Sequence, residues 1–251
     1  MRILLAVIAI LALIGFAAAQ IPLGFVLRKL PLNSMGVQWT QSEGTIWNGR
    51  IMGVYANGQP VGDVDLSLKP MSLVTFKPEL EFQWGGAGGR GAGTIRLLGS
   101  DSVEARDVRF QQNVAELEGL ANDVRAVGGT IRMSGGAVTI EDGACRSASG
   151  NFSADTLSLA AQQFGREFSD LTGTLSCSAG AFDIDLGGEG PAGDRVTIDA
   201  SATLQGQGTI DVIVETQDRE VETLLANAGF SREGEAWTYR RDAPAGGTGA
   251  P

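Results

Sequence analysis

The sequence predicts a mainly β protein. An N-terminal transmembrane helix leads into a long antiparallel meander sheet, curled into a half-barrel or folded over, with one short helix near the C-terminus. Three observations predict this. The one long uncharged stretch, Ile3 to Leu27, stands at the start. From about residue 36 polar and apolar residues alternate with a period of two, as in Asp63-Val64-Asp65-Leu66-Ser67-Leu68-Lys69 and Glu79-Leu80-Glu81-Phe82-Gln83-Trp84. Glycine-rich breaks at 85–93, 134–136 and 187–193 punctuate the rest.

Ile3–Leu27 is 25 residues long. At about 1.5 Å per residue a helix of that length reaches roughly 37 Å, enough to cross a hydrocarbon core of about 30 Å with some tilt. The rival reading is a signal peptide: Arg2, an apolar core to Phe16, and Ala17-Ala18-Ala19 as a small-residue cleavage site before Gln20. Apolarity continues past the alanines through Ile21, Leu23, Phe25, Val26 and Leu27, which favours a retained anchor, whereas Pro22 weakens one unbroken helix. Whether the chain is cut after Ala19 stays open, and either reading exports the rest of the chain. Flanking positive charge, Arg2 against Arg28 and Lys29, does not set the orientation.

Asn57-Gly58 between Ile51–Tyr55 and Val61 reads as a hairpin turn. Gly-Thr followed by Ile or Leu recurs at Gly44, Gly93, Gly129, Gly173 and Gly208, and each copy reads as the start of a strand. Five such starts, about two strands apart, predict ten or more strands, and a sheet that long curls, folds over or closes. Val114, Leu117 and Ala121 hint at a short turn. Val221, Leu224, Leu225 and Ala228 predict a helix capped by Asp218 and stopped by Gly229. A strand over 236–240 comes next. The expected organisation is an anchor over 1–29, one β domain over 30–241, and a disordered tail over 242–251 rich in Pro, Gly and Ala.

Charge places that domain. Removing Arg2, Arg28 and Lys29 from the 19 basic residues leaves 16 against 29 acidic ones, a net of −13 beyond the anchor. Such a surface repels nucleic acid and anionic lipid headgroups and suits the bacterial periplasm, with the anchor in the cell inner membrane as a single pass. Cys145 and Cys177, an even pair in an exported domain, point to a disulfide over two buried thiols.

Catalytic signatures are missing. With no histidine, the Ser-His-Asp and Cys-His arrangements and histidine metal sites are excluded. Asp63/Asp65 and Asp183/Asp185 read as the wet positions of alternating strands rather than as a glycosidase pair. Gly86-Ala87-Gly88-Gly89-Arg90-Gly91 matches a dinucleotide fingerprint in letters, but a strand pattern comes after it instead of a helix. No cofactor or metal is expected, and the reading is of a protein that is not an enzyme.

Ser42-Glu43-Gly44-Thr45-Ile46-Trp47-Asn48-Gly49-Arg50 carries a recognisable element. Here the chain resembles the type II secretion system protein N family (the general secretion pathway N subunit), which has Gly-Thr-x-Trp-Ser/Asn-Gly shortly after an N-terminal anchor. Gly44, Thr45, Trp47, Asn48 and Gly49 match in place. The block Lys69-Pro70-Met71-Ser72-Leu73-Val74 and the close, Val221–Gly229 before Trp237 and Tyr239, look similar too. The glycine-rich 85–93 and the lysine before Pro70 depart from that pattern.

The resemblance implies an accessory inner-membrane subunit of a type II protein secretion system, with an AsmA-like β domain in the periplasm. Its partners would be the inner-membrane platform, the pseudopilins or the channel, met through a sheet edge or a docking Trp47. The rival role for Trp47 is packing within a bent strand. An alternative function is periplasmic handling of a hydrophobic ligand or lipid in an apolar groove. The immediate partner, the secreted cargo and the oligomeric state are not written in the sequence.

Overall fold

The computed structural model describes residues 20–29, 36–56, 58–86, 88–99, 101–117, 122–191 and 193–243. The chain forms two compact units, Met1–Ala87 and Gly88–Pro251. Both are built from antiparallel strands that meander in near-sequential order, as the alternation predicts.

The first unit contains α1 (Leu23–Leu27), β1 (Val37–Gln38), β2 (Gln41–Gly44), β3 (Gly49–Ala56), β4 (Gln59–Leu68), α2 (Pro70–Val74) and β5 (Glu79–Gly86). β1 and β2 lie end to end along one side of β3, β4 pairs with the other side, and β5 pairs with β4. Ala56 faces Gln59, so β3 and β4 form a tight hairpin, with Gly58 at φ +83°; Asn57 lies outside the described residues.

The expectation of one helix running to Leu27 is corrected here. Pro22 is extended, at φ −67° and ψ 137°, and forms an isolated bridge with Thr45. Helix resumes only as α1, five residues long. Its Leu23 and Leu27, one turn apart on one face, are each 5% exposed and pack with Ile51 and Val54 against Val37, Trp39, Val61, Val64 and Leu66. Burying leucines of this kind stabilises by about 1.5 to 3 kcal/mol each. Of the apolar residues that prolong the stretch past Ala19, Leu23 and Leu27 are therefore core of the β unit, whereas Phe25 is exposed. Among the described residues no helix is long and apolar enough to cross a membrane, and Ile3–Ala19 lies outside them.

The second unit runs through β6 (Gly89–Leu97), β7 (Ser102–Asn113), a 3-10 turn at Val114–Glu116, α3 (Asn122–Val127), β8 (Thr130–Glu141), β9 (Ala144–Ala154) and α4 (Thr156–Gln163). It continues with β10 (Leu171–Ser178), β11 (Ala181–Glu189), β12 (Arg195–Ala202), β13 (Gly208–Glu215), α5 (Arg219–Asn227), β14 (Ser231–Glu233) and β15 (Ala236–Ala243). Spatial order tracks the chain from β6 to β13, then β15 and β14; the two ends do not pair, so this sheet stays open. Asp142-Gly143 and Ala179-Gly180 turn the hairpins with both residues at positive φ. That matches the right-handed twist of the flanking strands.

α4 and α5 lie with one face of this sheet. Leu157, Leu225, Phe168 and Phe230 pack with Ala154, Leu171, Val196, Val214 and Trp237. α5 is capped as expected: the Asp218 carboxylate accepts from the Glu220 and Val221 amides at 2.8 and 3.3 Å, and Gly229, at φ +90°, ends it. Asp242 and Ala243 belong to β15; the remainder of the expected tail, 244–251, lies outside the described residues, as does Ala121.

Two of the five Gly-Thr copies, Gly129-Thr130 and Gly208-Thr209, do start strands. Gly44 instead ends β2, while Gly93 and Gly173 fall inside β6 and β10. At Gly173 the reason is space: any Cβ would strike the Asp185 carbonyl of β11. Gly93 sits where the β6–β7 register slips between Ala92 and Thr94.

Candidate functional site

Gly44 to Gly49 form the loop that joins β2 to β3, closed by the Thr45 amide donating to the Asn48 carbonyl at 3.1 Å. Gly44, at φ +78°, adopts a backbone that favours glycine, and a Cβ there would lie 2.5 Å from the Asn48 carbonyl oxygen. Gly49 has no such φ, but its Cβ would lie 2.7 Å from both Leu23 Cδ2 and the Thr45 carbonyl oxygen. Gly44 thus lets the loop close, and Gly49 makes the seat on which α1 rests. The Ile46 amide donates to the Ile21 carbonyl at 3.2 Å, and Pro22 bridges Thr45, so the incoming chain is stitched to the loop.

Trp47 is half-buried and Asn48 exposed; the Trp47 carbonyl accepts from the Ser67 hydroxyl of β4 at 3.2 Å. Pairing Gly49 with Leu66 puts the end of β4, and α2 after it, at this same end of the unit's sheet. One rim therefore carries the motif loop, the point where the chain arrives from its N-terminal stretch, and α2. The Gly-Thr-x-Trp-Asn-Gly letters mark the loop in the sequence, but they do not show α1 as its partner. Pro22 was the available signal, since the residue before a proline favours extended backbone and proline opens the next helix.

Charges near the rim are arranged in pairs. Lys69 reaches Glu79 at 2.6 Å and Glu81 at 2.9 Å, and those carboxylates, Glu79 first, hold its ammonium above the ordinary lysine range. Arg50 faces Asp63 at 3.2 Å and Asp65 at 3.7 Å. Asp63 also accepts from the Gly53 amide at 3.1 Å, so the Asp63/Asp65 pair serves to hold Arg50 and a bulged stretch of β3.

In the second unit Asp185, Asp199 and Asp211 stand opposite one another across β11, β12 and β13, and Arg240 of β15 comes next in the same row. Partial burial, then Asp185 and Asp211, pushes the Asp199 carboxyl above its ordinary value. Among the described residues no group of acidic or cysteine side chains is placed to hold a metal ion. Cys145 of β9 and Cys177 of β10 are bridged, with Cα atoms 5.8 Å apart. The bridge lies beyond Thr174–Asn151, where the ladder between those two strands ends.

A cleft in this unit is lined by Asp194, Glu215, Thr216, Arg219, Glu222 and Arg232. Its carboxylates and guanidinium groups suit polar contacts. At the far end of the sheet β14 covers only Ala236–Thr238 of β15. From Tyr239 onward that side of β15 has no strand partner among the described residues.

Comparison with known proteins gives one family. The family model described as type II secretion system (T2SS), protein N, matches residues 35–238, most of the chain. The type II secretion system protein N of Aeromonas hydrophila is 28% identical over 100 residues, which cover 39% of this chain and 40% of that protein. The match therefore spans less than half of the curated relative. No solved structure matches. The breadth of the family match, with the Gly44–Gly49 loop inside it, shows that the chain belongs to the type II secretion system protein N family.

Proposed function

We propose that this protein is an accessory inner-membrane subunit of a type II secretion system, acting by contact rather than by catalysis. In this reading Ile3–Ala19 anchors the chain, and both β units stand in the periplasm. Those 17 residues would make roughly 25 Å of helix, near the lower limit for a membrane span. The acidic composition and the Cys145–Cys177 disulfide support an oxidising space outside the cytoplasm.

The observation that carries the proposal is the family match over residues 35–238. The uncovered part of β15 supports the mode of action. An exposed edge offers backbone donors and acceptors to a partner strand, and Tyr239, Arg240 and Arg241 give it aromatic and cationic character in an otherwise acidic chain. We assign Trp47 and Asn48 as a second contact, beside the inner-membrane platform.

Photo-crosslinking tests this. A benzoylphenylalanine at Arg241 or at Trp47, in a strain with an intact secretion system, should give discrete adducts with platform, pseudopilin or channel subunits. Adducts absent from both positions, or unchanged in a strain lacking those subunits, would overturn the proposed contacts.

A further inference from the structure

The connection between β4 and β5 is built with its polarity reversed. Ser72 turns inward: its hydroxyl donates to the Lys69 carbonyl at 2.5 Å and accepts from the Glu79 amide at 2.9 Å. The Phe76 amide donates to the Leu73 carbonyl and the Lys77 amide to the Ser72 carbonyl, so the turn is closed and braced. Yet Met71 is 77% exposed, Val74 71% and Phe76 92%, with Leu73 also exposed. Phe76 is held at φ +53°, a left-handed backbone that bulky residues rarely adopt. A hydrogen-bonded tip that presents four apolar side chains to the outside marks an interaction surface.

Its position argues for what covers it. The tip lies at the end of the first unit's sheet where Ile21 and Pro22 join the Thr45–Ile46 loop, only a few strand widths away at about 4.8 Å each. Ile21, at that rim, comes two residues after the uncharged stretch Ile3–Ala19 in the sequence. Lys77, exposed and without an ion pair among the described residues, closes the tip in a chain whose net charge is −10. Apolar side chains beside an unpaired cation match the headgroup boundary of an anionic bilayer.

We propose that the Pro70–Lys77 tip is a second membrane contact. Met71, Val74 and Phe76 insert into the lipid interface beside the N-terminal anchor, and Lys77 meets the headgroups. The tip would hold the rim flat on the membrane and fix the direction in which the sheet leaves it. This contact rests on the reading of Ile3–Ala19 as an anchor.

The test uses the full chain in phosphatidylethanolamine–phosphatidylglycerol vesicles, with spin labels on Val74→Cys and, at the opposite end of the same sheet, Gln59→Cys. The label at 74 should lose collisions with a water-soluble nickel chelate while keeping those with oxygen; the label at 59 should keep both. Phe76→Ser, at an exposed position, should leave the melting temperature unchanged and return the 74 label to water-like collisions. If the 74 label is as accessible to nickel as the 59 label while carbonate fails to extract the chain, the tip proposal is wrong and the anchor stands. If carbonate extracts the chain, the anchor reading fails and the tip proposal with it.

Discussion

Gly49→Ala is the sharpest perturbation of the rim. The new Cβ would lie 2.7 Å from Leu23 Cδ2, 2.7 Å from the Thr45 carbonyl oxygen and 3.0 Å from that of Glu43. Two of the three are backbone atoms, so relief requires the β2–β3 loop to open or α1 to lift. Overpacking of this sort costs about 1 to 3 kcal/mol. Lifting α1 would also expose Leu23 and Leu27, worth about 1.5 to 3 kcal/mol each, so local release cannot exceed the low single digits before the unit as a whole is affected. Arg28 and Lys29 directly succeed α1 and provide a trypsin readout of that release.

Gly49→Ala should speed cleavage at Arg28–Lys29 by about tenfold or more, since each 1.4 kcal/mol of opening is a factor of ten where cleavage tracks the open population. Denaturation monitored by tryptophan fluorescence reports mostly the first unit, which holds Trp39, Trp47 and Trp84 of the four tryptophans; its midpoint should fall. Wild-type trypsin kinetics and an unchanged midpoint would refute the idea that the motif glycine seats α1.

Other outcomes concern the second unit and the α1 contact. Leu23→Ala should destabilise the first unit by about 2 to 5 kcal/mol, read from the same fluorescence, because a core leucine is replaced by a cavity. Asp199→Asn should stabilise the second unit at pH 7 by roughly 0.2 to 1 kcal/mol, the worth of a cross-strand pair, since it removes a like charge facing Asp185 and Asp211. Because the folded carboxyl of Asp199 is raised, the native state holds its proton more tightly. The wild type should therefore lose stability as pH rises through that raised value, and the variant's advantage should vanish below about pH 3.8. Asp218 is the opposite case. The Arg166 guanidinium first, then the Glu220 amide, lowers it to about 2. Its contribution is present above the ordinary carboxylate range and is lost as pH falls toward 2, so Arg166→Ala should move the onset of acid unfolding to higher pH. Reducing Cys145–Cys177, or Cys145→Ser with Cys177→Ser, should cost the second unit about 3 to 4 kcal/mol for a loop of that size, seen as a lower chemical-denaturation midpoint.

The β architecture was legible because alternation survives even where no side chain is fully buried. Asp63–Lys69 and Glu79–Trp84 read as strands; all of the first but Lys69 lies in β4, and the second lies in β5. The cap and stop of α5 were legible for a local reason, since Asp218 and Gly229 act on neighbours in sequence. What escaped depended on distant contacts. Thr156–Gln163 opens as Thr-Leu-Ser-Leu, an alternating pattern, yet its Leu157 packs on the sheet from a helix. Ile21–Leu27 looked continuous with the apolar stretch because hydropathy alone does not separate lipid from a protein core. Only the space above Gly49 reveals which one Leu23 occupies. The Asp185–Asp199–Asp211 row needed the register, which a one-residue slip would have destroyed.

Whether this chain serves a type II secretion machine from the inner membrane is tested most directly by in-frame deletion in a strain with a working system. Type II substrates are then assayed in culture medium and periplasm. Substrates should accumulate in the periplasm and be released again when the full chain is restored, while the chain with Gly49→Ala restores less. Undiminished secretion from the deletion strain would contradict that role.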